Sequence, residues 1–462
     1  MIEVSGKYTD DVKVFVDTLE DGCLDDIQAM ADCPAYKGKK LRFMPDTHKG
    51  VHGACIGFSC PIDIDDENEM IAPAIVGADE GCTVSCKFYD RPMPQEKMAE
   101  FEHKIRKELP FGVDINDGCN YIKKELKDFF NKVLAKFVAA HPSFADYVPD
   151  EFHDDRDIGD WLEHLHMDDK KFWRSVPSVG SGNHFIEYDE NESEGKYAVC
   201  VHCGSRNLGQ KVFKYWDSLA CGGKLPKDVR KRITKEVKAK NTDPTKLCEE
   251  LDLAFNAYKE KHVPGYLNGE DMKRYLVDVL LCQAYAAFNH VLIHEKIAEI
   301  YEKLTGGKPV DIISTTHNYV DFDFQCYDGT PHVMIRKGAV RAYEQERLII
   351  PFNMRDGIAI CKGNSNPDYN FTAPHGAGRS MSRKAAFEKL NVDDFKKEMA
   401  DAGIYTTTAD DKTLDEAPEA YKPKEDIIRL IEPTATVLYF MKPKMNIKAA
   451  EDFSSSWRKK KS

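Results

Sequence analysis

The stretch Asn366 to Arg383, NPDYNFTAPHGAGRSMSR, sets His375 between a proline and a Gly-Ala-Gly turn, with Arg379, Ser380, Ser382 and Arg383 just after it. Glycines let a phosphate approach main-chain amides, while arginines and hydroxyls neutralise and hold its oxygens. A neutral imidazole attacks an activated phosphate readily, and the resulting phosphoramidate stays reactive enough to be passed on. The stretch therefore suits a covalent phosphorus site. A glycine-rich loop around a structural histidine is the other reading it admits.

Further groups with metal-ligand chemistry recur along the chain. Residues 71 to 88, IAPAIVGADEGCTVSCKF, form an apolar strand that breaks at Gly77 and delivers Asp79 and Cys82, a carboxylate and a thiol three residues apart. Asn183 and His184 follow a glycine turn and open the strand HFIEY. His202 ends the strand YAVCVH just before Gly204, Ser205 and Arg206, and His317 with Asn318 ends a third strand, VDIISTTHN. Histidines at strand ends beside turns are what a metal site at one rim of a sheet requires. Residues 41 to 61, LRFMPDTHKGVHGACIGFSCP, run from a strand into an expected loop with Asp46, His48 and His52, where Asp-x-His fits either a metal ligand pair or a turn. His290 and His294 are four residues apart on one helical face, and His164 and His166 sit in an acidic run. For both pairs a structural or solvated role competes with metal binding.

The elements that must position these residues belong to a mixed α/β chain. Its 462 residues, 42% hydrophobic and 31% charged, suit a globular protein with a large core. The formal charge of −13 argues against binding nucleic acid by bulk attraction but leaves room for a local basic groove, with 227 to 240 as one candidate patch. No apolar run approaches a membrane span and no signal peptide opens the chain, so the expected location is cytoplasmic and no membrane partner is expected. Fourteen irregularly spaced cysteines read as reduced thiols, some of them metal ligands. Helices are expected over Leu24 to Ala31, Gln95 to Leu109 and Tyr121 to Ala140, with Ile122, Leu126, Phe129, Phe130, Val133 and Phe137 as the core stripe of the last. The chain is expected to be one catalytic domain over 1 to 462 with a helical insertion at about 210 to 305, followed by strands carrying Arg336, Lys337 and Arg341, and a basic tail.

In order along the chain, MPDTHKG, VGADEGC, GSGNHFIE, VHCGSRNLG, the His317-Asn318 pair, RKGAVRA and HGAGRSMSR resemble the motifs of the RtcB family of GTP-dependent RNA-splicing ligases, from about Met44 to Lys448. The family joins RNA 2′,3′-cyclic phosphate or 3′-phosphate ends to 5′-hydroxyl ends. The resemblance implies central sheets flanked by helices, with the metal site at the strand ends. It implies two Mn(II) ions bridged by Cys82, one also held by Asp79 and His184 and the other by His202 and His317, although these donors alone fit Zn as well.

His375 would be the nucleophile that takes GMP from GTP. The resemblance further assigns nucleotide contacts to Asn183, Phe185, Glu187, Asn353, Gly376, Ala377, Gly378, Arg379, Tyr421 and Lys448, and RNA or phosphate contacts to Arg206, Asp46 and Arg341. The implied partner is RNA bearing the ends named above, handled by a monomer or a homodimer. Where the family pattern is Pro-Gly-Ser-Met-Gly, this chain has Pro351, Phe352, Asn353, Met354 and Arg355, and Ala449 follows Lys448 in place of glycine. Phe352 is expected to crowd a backbone approach to the nucleotide. A dinuclear metal-dependent phosphoesterase or nuclease, which would not need His375, is the alternative.

Overall fold

A computed structural model of the chain describes residues 1–50, 53–119, 122–221, 265–324 and 332–449, with 234–235, 237–238 and 250–251 between them. His52, most of the basic 227 to 240 segment and the basic tail lie outside the described residues.

Apolar β-branched runs bounded by glycine turns pair into one 12-stranded sheet. From one edge its strands are Ile2–Val4, Val12–Val14, Leu41–His48, Ile56–Asp63, His332–Lys337, Pro309–Asp321, Cys82–Tyr89, Lys196–Cys203, Phe185–Asn191, Ala435–Lys448, Gly357–Gly363 and Arg347–Asn353. Neighbours are antiparallel except Val12–Val14 beside Leu41–His48. The sheet curls until its last strand meets Pro309–Asp321, where the Ile349 N–H donates to Thr315 Oγ1 at 3.1 Å. Val84, Phe185, Ile313, Ile349, Ile358, Ile360 and Met441 fill the curl with a core of their own.

Helices cover the other face. The central one, Gly269–Thr305, packs against Met98–Glu108, Lys123–Ala140 and Arg206–Ala220 and lies across the strands that carry the site residues. It is long and apolar enough to cross a membrane, contrary to the expectation that no run approached that length, but most of its apolar surface is buried inside the protein. It lies within the 210 to 305 segment as a core element and ends on Gly306 in the left-handed conformation. In Lys123–Ala140 the buried positions Leu126, Phe130, Leu134 and Phe137 follow the helical period.

Cys86 and Cys200 face each other directly across the Cys82–Tyr89 and Lys196–Cys203 strands, with Cα atoms 4.0 Å apart, and are joined as a disulfide. The expectation of reduced thiols fails for this pair. Register between two strands far apart in the chain, which cysteine spacing does not encode, brings them together.

One buried polar node ties the helical layer together. Asp278 accepts hydrogen bonds from Trp161 Nε1 at 2.9 Å, Trp216 Nε1 at 2.7 Å and His164 Nε2 at 2.9 Å, so the three helices carrying Trp161, Trp216 and Asp278 share one carboxylate. This settles the acidic, His-rich run: His164 is an anchor. Burial works against a charge on His164, but the bond and charge of Asp278 prevail and raise its pKa. Replacing Asp278 with Ala strands these donors, and the unfolding free energy is expected to fall by about 3–5 kcal/mol in urea titrations. Because the His164 pKa is raised on folding, its share of the stability is complete below the ordinary histidine value of about 6.5. It fades as pH rises through the folded-state value, and Asp278→Ala should remove that slope.

Candidate functional site

Four consecutive strands of the sheet end at one rim, and each delivers a donor there. Pro309–Asp321 carries His317, Cys82–Tyr89 opens on Cys82, Lys196–Cys203 carries His202, and His184 precedes Phe185–Asn191. Register aligns them: Asn318 pairs with Cys82, Val84 with His202, and His202 with Phe185. Asp79 reaches the same point from the turn before Cys82. It lies so close to Gly204 that a Cβ there would come within 2.1 Å of Asp79 Oδ1, which explains the glycine after the Lys196–Cys203 strand.

The donor atoms converge. Cys82 Sγ lies 3.2 Å from His202 Nε2 and 3.5 Å from His184 Nε2, His202 Nε2 is 3.2 Å from His317 Nε2, and His184 Nε2 is 2.8 Å from Asp79 Oδ2. Cys82 Sγ, His184 Nε2 and His202 Nε2 all lie within 4.8 Å of one another, as a shared metal ion requires. Two histidines are oriented from behind through Nδ1, His184 by the Val179 carbonyl and His202 by the Asn183 carbonyl, each at 3.1 Å; such supports fix the tautomer that leaves Nε2 to bind. Burial, reinforced by neighbouring histidines, holds the pKa of His202 and of His317 well below the ordinary value, so both rings are neutral ligands. Burial alone would raise the Asp79 carboxyl, but His184, Cys82 and Arg206 outweigh it and hold its pKa at about 2. Burial and then Asp79 push the Cys82 thiol up, a cost that a bound cation reverses. Neutral imidazoles, a carboxylate and a central sulfur form a donor set that fits a first-row divalent metal.

His375 stands beside this cluster, its ring 5.0 Å from that of His317. Asp46 holds it twice through Oδ2, accepting from the His375 N–H at 3.0 Å and lying 2.5 Å from Nδ1. With Nδ1 engaged by a carboxylate, Nε2 is left as the free edge. Asp46 therefore does not lie open to an RNA backbone. It is fully buried within the Leu41–His48 strand, in place of the expected loop, and its side chain is directed at His375. Gly378, at φ +71°, lets this loop close on that strand, since a Cβ there would meet the Asp46 carbonyl at 2.2 Å.

A cavity opens over His375 and His202. Asn183, Phe185, Glu187, Asn353, Gly376, Ala377, Gly378, Arg379, Tyr421 and Lys448 all line it. Phe185, Glu187, Asn446 and Lys448 come from paired positions of two adjacent strands. Arg206 and Arg341 do not line it: Arg206 is bound to Ser178 Oγ at 2.9 Å and the Gly112 carbonyl at 2.7 Å, and Arg341 to Glu346 at 2.6 Å. Phe352 lines the cavity, as its place in the loop implies, and also packs in a cluster with Val340, Ile350 and Ala377, while Arg355 is paired with Asp356 and Glu398. His290 and His294 lie beneath the rim, bracketing Ser85 Oγ at 2.7 Å each, and belong to the packing of the long helix on its strand.

Sequence reasoning missed Glu416 and Asn446 among the residues that line the cavity. Glu416 gathers the cations, contacting Lys448 Nζ at 3.1 Å, Arg379 at 2.6 Å, Arg383 at 2.7 Å and the Tyr421 hydroxyl at 2.7 Å. Burial opposes its charge, but Lys448, Arg383 and Arg379 hold its pKa well below the usual carboxylate range. No local pattern marks it. Asn446 is two residues before Lys448, so strand alternation would have found it.

Fold and site together define a mixed α/β protein with a Cys/His group that could hold a metal at one rim of its sheet and a carboxylate-anchored histidine beside it. The chain belongs to the RtcB family: the family model described as tRNA-splicing ligase RtcB matches residues 26–449. It is 25% identical over 422 residues to the RNA-splicing ligase RtcB of Escherichia coli K12, covering 89% of this chain and 90% of that protein. It is 26% identical over 459 residues to the tRNA-splicing ligase RtcB of Archaeoglobus fulgidus (89% and 88% covered), and 25% identical over 487 residues to that of Methanococcus maripaludis (94% and 92% covered).

Cys82→Ala, which removes the central donor, is expected to weaken Mn(II) binding by more than about 10-fold in equilibrium dialysis. Binding as tight as that of the unaltered protein would mean that the cluster is not the metal site.

Proposed function

We propose that this chain is an RNA ligase that joins 2′,3′-cyclic phosphate or 3′-phosphate ends to 5′-hydroxyl ends by way of GMP carried on His375, in RNA repair or tRNA splicing in the cytoplasm. The observation that carries the reading is the Asp46–His375 pair facing a cavity lined by cationic and aromatic side chains beside the Cys/His cluster. Family membership supports ligation of RNA.

Nδ1–H of His375 donates to Asp46, so the ring presents the Nε2 lone pair and the positive charge that develops on bond formation is offset by the carboxylate. Nε2 attacks the α-phosphorus of GTP and pyrophosphate leaves. A 2′,3′-cyclic phosphate is first opened by water, which breaks the bond from phosphorus to O2′ and leaves a 3′-phosphate; the RNA 3′-phosphate next takes GMP from His375, giving an RNA-ppG end, and the 5′-hydroxyl of the second RNA displaces GMP as the new phosphodiester forms. Asp79 and His184 would hold one Mn(II) ion, His202 and His317 the other, with Cys82 shared; bound there, such ions polarise phosphoryl oxygens and offset charge. Arg379 and Lys448, anchored by Glu416, present fixed positive charge to the phosphates without rearranging. Phe185 offers an aromatic face with Lys448 Nζ 5.3 Å from its ring centre.

The test is incubation with Mn(II) and α-labelled GTP, denaturation, and assay for label on the protein. An acid-labile adduct is expected, absent from His375→Ala and formed roughly 100-fold more slowly or worse by Asp46→Ala, whose imidazole is no longer oriented. Metal-loaded protein that forms no adduct with any nucleotide would overturn the ligase reading in favour of the phosphoesterase.

A further inference from the structure

The ladder between Leu41–His48 and Ile56–Asp63 breaks where Asp46 sits. Phe43 pairs with Phe58 and His48 with Ile56, so Met44, Pro45, Asp46 and Thr47 together face Gly57 on the partner strand. On the other side Val12–Val14 pairs with Leu41 to Phe43. A bulge of this kind re-aims a side chain and takes main-chain groups out of the ladder, where they need other partners. The re-aimed side chain is Asp46, and the partner strand leaves it room, since a Cβ on Gly57 would come within 2.9 Å of Asp46 Oδ1. Among the described residues Oδ1 accepts no hydrogen bond, so the carboxylate is aimed by its main chain. One ammonium takes up the carbonyls on either side: Lys422 Nζ donates to Pro45 O at 3.0 Å and to Thr47 O at 2.9 Å. The Lys422 N–H donates to the carbonyl of Gly378, in the loop that carries His375, at 3.0 Å. Lys422 therefore holds the Asp46 bulge with its side chain and the His375 loop with its main chain. Burial lowers the Lys422 pKa, and Asp46 is the strongest of the charges that keep it protonated.

We propose that Lys422 is a positioning residue for nucleotidyl transfer that acts through Asp46, its ammonium pinning the two carbonyls that flank the bulge and so aiming the Asp46 carboxylate at His375. The proposal rests on the nucleotidyl-transfer reading of His375. Without the ammonium the two carbonyls lose their shared donor, and the bulge relaxes to satisfy them elsewhere. A shift of about 1 Å in a group that orients a reacting atom costs up to roughly 100-fold in rate while leaving substrate binding in place. Replacing only the side chain keeps the main-chain bond to Gly378, so the loss is confined to the Asp46 half of the pair. It cannot exceed the loss caused by removing the Asp46 carboxylate itself.

The test is single-turnover formation of the acid-labile adduct from Mn(II) and α-labelled GTP by the full chain, unaltered and as Lys422→Met, Asp46→Ala and the double variant. At saturating GTP, Lys422→Met should slow adduct formation about tenfold, with the GTP concentration for half-maximal rate changed by less than about twofold. In the Asp46→Ala background the same substitution should cost nothing further, because residues that act as a unit are non-additive. A Lys422→Met rate equal to that of the unaltered protein, or a loss repeated in full in the Asp46→Ala background, overturns the assignment and leaves nucleotidyl transfer standing. So does Lys422→Met protein that no longer loads Mn(II), since Lys422 would then support the fold at large. An unaltered protein that forms no adduct would sink nucleotidyl transfer and this proposal together.

Discussion

Strand register is the constraint on which this structure depends. Cys82, the His184 and His202 pair, and His317 come from three segments each more than a hundred residues from the next, yet their donor atoms stand 3.2–3.5 Å apart around Cys82 and His202 because four neighbouring strands meet at one rim. A slip of one residue in any of the four would turn its donor to the opposite face of the sheet. The long helix Gly269–Thr305, braced on its strands through Ser85, His290 and His294, and the apolar filling of the curl hold that register.

Electrostatics around the rim divide into two compartments. On the metal side, burial keeps imidazoles neutral, while Asp79 retains its charge through His184 and Arg206. On the cavity side, Lys448, Arg379 and Arg383 converge on Glu416, with Asp415 beside the two arginines, so the chain, acidic by formal count, gathers three cations at this wall. A buried carboxylate among three cations is stable only with all its partners, which makes Glu416 an organiser of the wall as much as a part of it. His375 spans the two compartments, its ring near His317 and its loop lining the cavity.

The departures from the family pattern fall where the fold absorbs them. Phe352 replaces a glycine and packs on Val340, Ile350 and Ala377 at the cavity wall, and Arg355 is paired with Asp356 and Glu398. Glu187 and Asp189, alternate residues of one strand, are both buried. Burial raises the pKa of Glu187 to about 7 and, together with Glu187, lifts that of Asp189 well above the ordinary value. A carboxyl poised at this point needs a neighbour to fix its orientation, and Asn446 does so.

Residue type and local pattern, which a sequence carries directly, were enough to mark out the phosphate loop at His375, the donors at strand ends and the helical stripe ending in Phe137, because turns, periodicity and motif order are encoded within a few residues. The ten cavity-lining residues from Asn183 to Lys448 were singled out by the resemblance to the family and not by local pattern. What depended on tertiary structure was every partnership between distant segments. Asp46 belongs to a strand and reaches His375 across 329 positions; Cys86 meets Cys200 across 114; Glu416 collects its cations; and Arg206 and Arg341 are tied to partners outside the cavity lining. Local sequence fixes which face a residue presents, but only the pairing order of the strands and the curl of the sheet decide what stands opposite it.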